Sequence, residues 1–253
     1  MRRIKRITVL LTAAACFMLC GCEQKKVVLD NEQFLNFTPP AEGEEIAVFH
    51  IKDYGDVKIK LFAEQCPKGV ENFKGLITSG YYDELIFHRV AKNMVIQTGD
   101  PKGDGTGGED FWKDGGFAMT TDAGLKNFTG AVGYAVNDTD RLNGSQFYIV
   151  TGEKMTKEYF ELLSEHGRTY SGKTEEMYYQ YGGQPYFDGG YEVFGQVFDG
   201  MDVCLQIQNV ETVKEKPRKS VVIEKAEVVP YDGSAVHYLN AAGEEQKTEN
   251  VQE

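Results

Sequence analysis

The chain has 253 residues, 41% of them hydrophobic and 26% charged, with 39 acidic against 27 basic residues for a net charge of −12. So negative a chain is a poor partner for nucleic acid and is not drawn to anionic head groups. Its histidines (His50, His88, His166 and His237) are scattered, no Cys/His spacing suggests a metal site, and no local motif supplies a Ser/His/Asp set for hydrolysis.

Residues 1–21 read as a signal peptide. Arg2, Arg3, Lys5 and Arg6 form a basic start, and Ile7 to Leu19 form an apolar run too short to span a bilayer with confidence. The run ends in Leu19-Cys20-Gly21-Cys22, which resembles a bacterial lipobox. Cys22 would then be acylated and become the new N-terminus; an ordinary signal peptide that happens to carry cysteines is the alternative. Residues 1–21 hold four of the basic residues and none of the acidic ones, so the processed chain carries −16. The expected location is the extracytoplasmic face of a cell membrane, reached through the lipid and not through charge. Residues 22–44, with Thr38-Pro39-Pro40 and Glu42-Gly43-Glu44, read as a flexible tether of roughly 70 Å reach when extended. Residues 231–253, after Pro230, are rich in Gly, Glu, Gln and Asn and read as a disordered acidic tail. Residues 45–230 remain for one packed domain.

That domain reads as mainly β. Ile46 to Ile51 and Val57 to Phe62 are apolar runs joined by Asp53-Tyr54-Gly55-Asp56, a hairpin signature. Val57, Ile59 and Leu61 alternate with Lys58 and Lys60, which predicts one wet face. Further strands are expected at 85–90, 94–98, 129–136, 146–151, 192–198 and 219–228, separated by Gly and Asp/Asn clusters, a pattern of barrels or sandwiches. Pro67 opens a helix carrying Val70, Phe73, Leu76 and Ile77, closed by Gly80. A second helix follows Gly200 with Met201, Cys204 and Leu205. Thr156 caps a third, with Tyr159, Leu162, Leu163 and His166 on one face, before a Tyr-rich stretch from Tyr170 to Gln184. Cys66 and Cys204 read as small buried hydrophobes, a disulfide between them being left open.

The chemistry concentrates in Phe87-His88-Arg89-Val90, in Met94-Val95-Ile96-Gln97-Thr98-Gly99-Asp100 and in Asn143-Gly144-Ser145-Gln146-Phe147-Tyr148-Ile149. An arginine on one strand and glutamines on two others can surround a peptide without any nucleophile, metal or cofactor. The plain alternative is a solvated arginine on a strand. The three segments resemble those of the cyclophilin family, and the resemblance implies a task for a guanidinium, which stays charged and offers several donors. Rotation about an X-Pro bond has a barrier of about 20 kcal/mol, and in the twisted state the proline nitrogen regains a lone pair. A donor that meets that lone pair only in the twisted state lowers the barrier selectively.

This resemblance to the cyclophilin family of peptidyl-prolyl isomerases runs further. Pro67-Lys68 with Glu71-Asn72-Phe73, Tyr81-Tyr82-Asp83, the glycine-rich Gly99-Asp100-Pro101 to Gly108, Phe194-Gly195-Gln196-Val197 and Gly200-Met201 extend the match, in order, from about residue 45 to 229. The resemblance implies a closed eight-stranded antiparallel barrel capped by two helices, with a partly helical insertion at about 152–185 where the family has a few residues. It implies Arg89 as the catalytic donor. Gln97 and Gln146 fall at the substrate-contacting glutamines, and Phe87, Met94, Val95, Gly105, Ala135, Val136, Tyr148, Tyr186, Phe187 and Tyr191 at or near the remaining substrate positions. Met94 and Tyr148 stand where the family has phenylalanine, Val95 where it has methionine, and Tyr191 where histidine is common, so the pocket wall is redrawn around a retained centre.

The implied activity is isomerisation of X-Pro bonds in exported proteins at the membrane surface, by a monomer without cofactor or metal. A binding module for proline-containing peptides with little turnover is the alternative. A solute-binding lipoprotein fits the anchor but not the length or the motif order. The insertion reads either as a surface elaboration or as a tyrosine-rich lid or client ledge beside the groove.

Overall fold

The computed structural model describes residues 27–28, 30–136 and 140–246. The signal segment, Cys22 and residues 247–253 of the expected tail lie outside them. In chain order the strands are β1 (Val27–Val28), β2 (Glu45–Ile51), β3 (Gly55–Leu61), β4 (Arg89–Ala91), β5 (Val95–Thr98), β6 (Ala131–Tyr134), β7 (Phe147–Val150), β8 (Arg168–Thr169), β9 (Val193–Asp199), β10 (Thr212–Val213), β11 (Lys216–Pro217) and β12 (Ile223–Pro230). The helices are α1 (Pro67–Thr78), α2 (Lys157–Glu165), α3 (Gly172–Tyr181) and α4 (Met201–Ile207).

Eight strands form one antiparallel sheet in the order β12-β2-β3-β9-β6-β7-β5-β4. The sheet curls but does not close, which corrects the expectation of a closed barrel. Its edges, β12 and β4, share no ladder. The segment before β4, expected as strand from residue 85, instead meets residues 221–223 through one bridge, Ile86 to Val222, and single bonds such as Phe87 N to Val221 O at 3.0 Å. Glu84 has φ 62° just ahead of this segment. The hairpin β10–β11 then lies along β4, with Val90 N donating to Glu215 O at 2.7 Å. Loops, not a continuous ladder, bridge the gap.

The concave side holds the main core. Ala47, Phe49, Ile51, Val57, Ile59 and Leu61 from the β2–β3 hairpin meet Val90, Ile96, Val132 and Ile149, all buried. α1 closes over it as its pattern predicts. Pro67 is its first residue, Val70, Phe73, Leu76 and Ile77 are buried, and Gly80 follows the helix at φ 72°, where the left-handed conformation suits glycine. Cys66 and Cys204 are both free and buried in this core. Burial pushes both thiols up from their ordinary values.

A second core covers part of the convex side, and here the structure departs from the sequence reading. Phe34 and Phe37, placed in the flexible tether, are buried with Ile46 and Val48, Phe128, Phe198, the insertion's Phe160, Leu163, Met177, Tyr178 and Tyr181, and Tyr231 and Tyr238 from the expected tail. Phe37 stacks on Tyr181 with ring centroids 3.9 Å apart. Asn36, fully buried, donates to Gln196 Oε1 at 2.8 Å and accepts from Lys126 N at 3.0 Å. Lys60 is therefore not on a wet face. It is 8% exposed and donates to Pro39 O at 3.0 Å, because the segment before β2, here called the arm, covers its side of the sheet. Aromatic residues spaced too widely for any periodicity supply this cover.

Glu192, just before β9, is 1% exposed. One carboxylate oxygen accepts from Thr120 N at 2.8 Å and Asn143 Nδ2 at 2.6 Å, and the other has no partner. Burial pushes its pKa from 4.5 to about 7. The folded protein thus keeps a proton that the unfolded chain has lost, and this contribution to stability is present below 4.5 and disappears as pH rises to about 7. Relative to Glu192→Gln, denaturant unfolding of the unsubstituted protein is expected to lose up to about 1.4 kcal/mol per pH unit across that window and to run parallel above it. Parallel curves throughout would contradict the assignment.

Candidate active site

The register of four short strands builds the site. Lys92 to Met94 turn β4 back onto β5, with Asn93 at φ 61° and Met94 N donating to Ala91 O at 3.0 Å. This sets Arg89 opposite Gln97, Gln97 opposite Tyr148 on β7, and Tyr148 opposite Gly133 on β6. The neighbouring row, Val90, Ile96, Ile149 and Val132, points the other way into the core, since strand side chains alternate.

A continuous set of hydrogen bonds fixes the polar half. Arg89 Nη1 donates to Gln97 Oε1 at 3.2 Å. Gln97 Nε2 donates to Gln146 Oε1 at 2.9 Å. Gln146 Nε2 donates to the carbonyls of Gly105 at 3.0 Å and Gly107 at 2.7 Å. The glycine loop is itself gathered by the Asp100 carboxylate, which accepts from the amides of Lys102, Asp104 and Gly105. On its other side Arg89 Nε donates to Glu215 Oε2 at 2.8 Å. Glu215 sits in the turn of β10–β11, where Lys214 and Glu215 have φ 50° and 64°. Arg89 and Glu215 side chains are 38% and 51% exposed, so the pair orients more than it stabilises. His88 beside Arg89 is 6% exposed, and burial lowers its pKa.

Aromatic rings supply the apolar half. Tyr148 lies 5.7 Å from Phe187 and 6.0 Å from Tyr191 between ring centroids, and Phe187 lies 5.0 Å from Tyr191. Tyr186, 45% exposed, stands at the rim with the Arg168 guanidinium 5.4 Å from its ring. A charged donor held on two sides, with an amide chain beside it and Tyr148 of the aromatic wall in its strand row, can seat an apolar ring and reach an adjacent amide.

Comparison with known proteins identifies this arrangement. Residues 46–228 match the family described as "Cyclophilin type peptidyl-prolyl cis-trans isomerase/CLD". A "Putative peptidyl-prolyl cis-trans isomerase" of Staphylococcus aureus is 36% identical over 188 residues, covering 74% of this chain and 93% of that protein. A "Putative bifunctional phosphatase/peptidyl-prolyl cis-trans isomerase" of Streptococcus pyogenes is 38% identical over 179 residues, 70% of this chain but 37% of that longer protein. The crystal structure of a Cryptosporidium parvum cyclophilin type isomerase, determined in the presence of the dipeptide Ala-Pro, superposes with a TM-score of 0.58 at 29% identity and covers 74% of this chain and 99% of that one. The chain belongs to the cyclophilin-type peptidyl-prolyl cis-trans isomerases.

In this cyclophilin the expected residues divide. Arg89, Gln97, Gln146 and Gly105 are linked by hydrogen bonds, and Tyr148, Phe187 and Tyr191 by ring contacts. Met94 and Ala135 are partly buried, and both pack on the main core. Val136 is half-buried. Ala135 N donates to Gln146 O at 3.0 Å, which ties this segment to the glutamine. Phe87 and Val95, expected at substrate positions, are each 2% exposed within the core and offer no surface to a peptide. The backbone of Phe87 is pinned by Val221 before β4 begins. Tyr148, at 3%, backs the wall from beneath. Glu215 was invisible in the sequence: a charge in a Lys-Glu-Lys run carries no signal until the β10–β11 turn brings it to a residue 126 positions away.

Proposed function

We propose that Arg89 is the catalytic donor of this isomerase, that the enzyme acts on X-Pro bonds of exported polypeptides at the membrane surface, and that a lipid on Cys22 anchors it there. The observation that carries the catalytic assignment is the clamp on Arg89: Gln97 holds Nη1 and Glu215 holds Nε, at 3.2 Å and 2.8 Å. A guanidinium has five N–H groups, so those not so engaged are left for a peptide on the face that also carries Gln97 and Tyr148. The prolyl ring seats against Phe187 and Tyr191, and Gln97, Gln146 and Ala135 flank the peptide. As the bond twists, the nitrogen pyramidalises and Arg89 donates to it. That hydrogen bond forms in the transition state and not in either planar ground state, so it accelerates both directions equally. No proton leaves the enzyme and no covalent bond changes.

The lipobox and the basic and apolar segment before it support the anchor. Uncatalysed isomerisation takes tens of seconds, slow enough to delay chains folding outside the cytoplasm, which makes such a site of action useful.

One charged hydrogen bond, worth roughly 1.5–3 kcal/mol, predicts that Arg89→Ala lowers kcat/KM on an Ala-Pro peptide by about 10- to 100-fold with the thermal midpoint unchanged. Glu215→Ala, which loosens the clamp without removing the donor, is expected to lower it only about 2- to 5-fold. Arg89→Ala activity within twofold of the unsubstituted enzyme would rule out the assignment. For the anchor, Cys22→Ala is expected to abolish palmitate labelling and to release the protein from membranes, and labelling that survives the substitution refutes it.

A further inference from the structure

The insertion carries five of the chain's fourteen tyrosines, and they do not form an exposed ledge. Tyr178 and Tyr181 are fully buried, and Tyr170 and Tyr179 are partly so. One of these hydroxyls begins a polar chain that ends at the pocket. Tyr178 on α3 donates to Asp188 Oδ2 at 2.7 Å. Asp188, 2% exposed and directly after Phe187, accepts at its other oxygen from Asn127 N at 2.8 Å and Asn127 Nδ2 at 3.0 Å. Asn127, fully buried, accepts at Oδ1 from the Tyr148 hydroxyl at 2.8 Å. Tyr148 is the residue that follows Arg89 and Gln97 across the strands.

We infer that the insertion is a buttress for the proline pocket, and that Tyr178 is a positioning residue that acts through Asp188 and Asn127 to fix Tyr148, Phe187 and Tyr191 in the geometry that binds the prolyl ring. The inference rests on the reading of that wall as the prolyl seat.

Three observations carry it. The direction of the chain is determined by chemistry. Asp188 Oδ1 already accepts from the Asn127 backbone N–H, which can only donate, so the Asn127 amide turns its nitrogen to that oxygen and its own oxygen to the Tyr148 hydroxyl. Next, the Tyr148 hydroxyl has space only because Gly133 lies opposite. A Cβ there would fall 2.4 Å from that oxygen, so a glycine in the middle of β6 accommodates the hydroxyl that enters the chain. Finally, the insertion grips the same turn a second time. Tyr170 donates to Pro185 O at 2.6 Å, and Arg168 donates to Asp188 O. Pro185 and Asp188 bracket Tyr186 and Phe187, so both ends of the aromatic rim are held from the insertion side. All four links of the chain lie in the interior, where each lost partner strands another polar group.

The test is a double-mutant cycle on the full chain with an Ala-Pro peptide, using NMR exchange to separate peptide affinity from the on-enzyme interconversion rate. Tyr178→Phe removes one oxygen. It is expected to weaken affinity about 3- to 10-fold while the on-enzyme rate stays within about twofold, because Arg89 and its partners are untouched. Tyr148→Phe, which cuts the same chain at the pocket end, is expected to give a similar loss, and the double variant no larger one. Unchanged affinity in either single variant, or losses that multiply in the double variant, would overturn the buttress, the second result leaving Tyr178 a purely structural residue. Arg89→Ala in the same series separates this from the underlying reading. Full exchange without Arg89 removes the placement of the site, whereas exchange that needs Arg89 together with a peptide affinity that ignores Tyr178 removes the buttress alone.

Discussion

The site depends on one cross-strand pair, Arg89 opposite Gln97. Side chains on a strand alternate with a period of two, so a slip of one residue between β4 and β5 would turn Arg89 toward the core and bring Val90 to the surface. The short turn at Lys92 to Met94 fixes that register locally, and Ile96, Ile149 and Val132 fix it by burial on the opposite face. The register then hands each position its partner without further adjustment: Gln97 to Arg89 and Gln146, Tyr148 to Gln97, Gly133 to Tyr148. A charged donor that must meet a transient lone pair gains from being placed before the substrate arrives. Here two bonds of ordinary length do the placing.

The two cores divide the work. The inner core sets the strands and therefore the catalytic row. The outer core, assembled from the arm at residues 34–37, the insertion and residues 231–238, presses on the back of the sheet, and Tyr170 beside it bonds the turn at Pro185. The family match spans residues 46–228, and the arm and residues 231–238 lie outside that span. They pack on the insertion through rings such as Phe37 on Tyr181.

What the sequence made legible follows from short-range physics. The alternation at Val57, Ile59 and Leu61, Pro67 at the start of α1, and Thr156, whose hydroxyl accepts from Tyr159 N at 3.4 Å to cap α2, are local and were readable. Arg89, Gln97 and Gln146 stand out in local motifs, and the structure joins them by side-chain hydrogen bonds. What stayed hidden depends on contacts between distant segments. Lys60 reads as wet until Pro39 is laid over it. Phe34 and Phe37 read as isolated in a polar stretch because their partners, Phe128, Tyr181 and Tyr238, are scattered over two hundred residues. The open edge of the sheet turns on a left-handed residue at Glu84 and on a hairpin at 212–217, neither of which a hydrophobic pattern encodes. Glu215 is reached only through that hairpin.

The most direct test of the central claim is a crystal structure of the protein with a bound Xaa-Pro peptide. The account predicts the prolyl ring against Phe187 and Tyr191, an Arg89 guanidinium nitrogen within about 3.5 Å of the prolyl amide, and the bonds from Arg89 to Gln97 and Glu215 intact. A peptide seated elsewhere on the sheet, or an Arg89 side chain swung into solvent away from both partners, would contradict it.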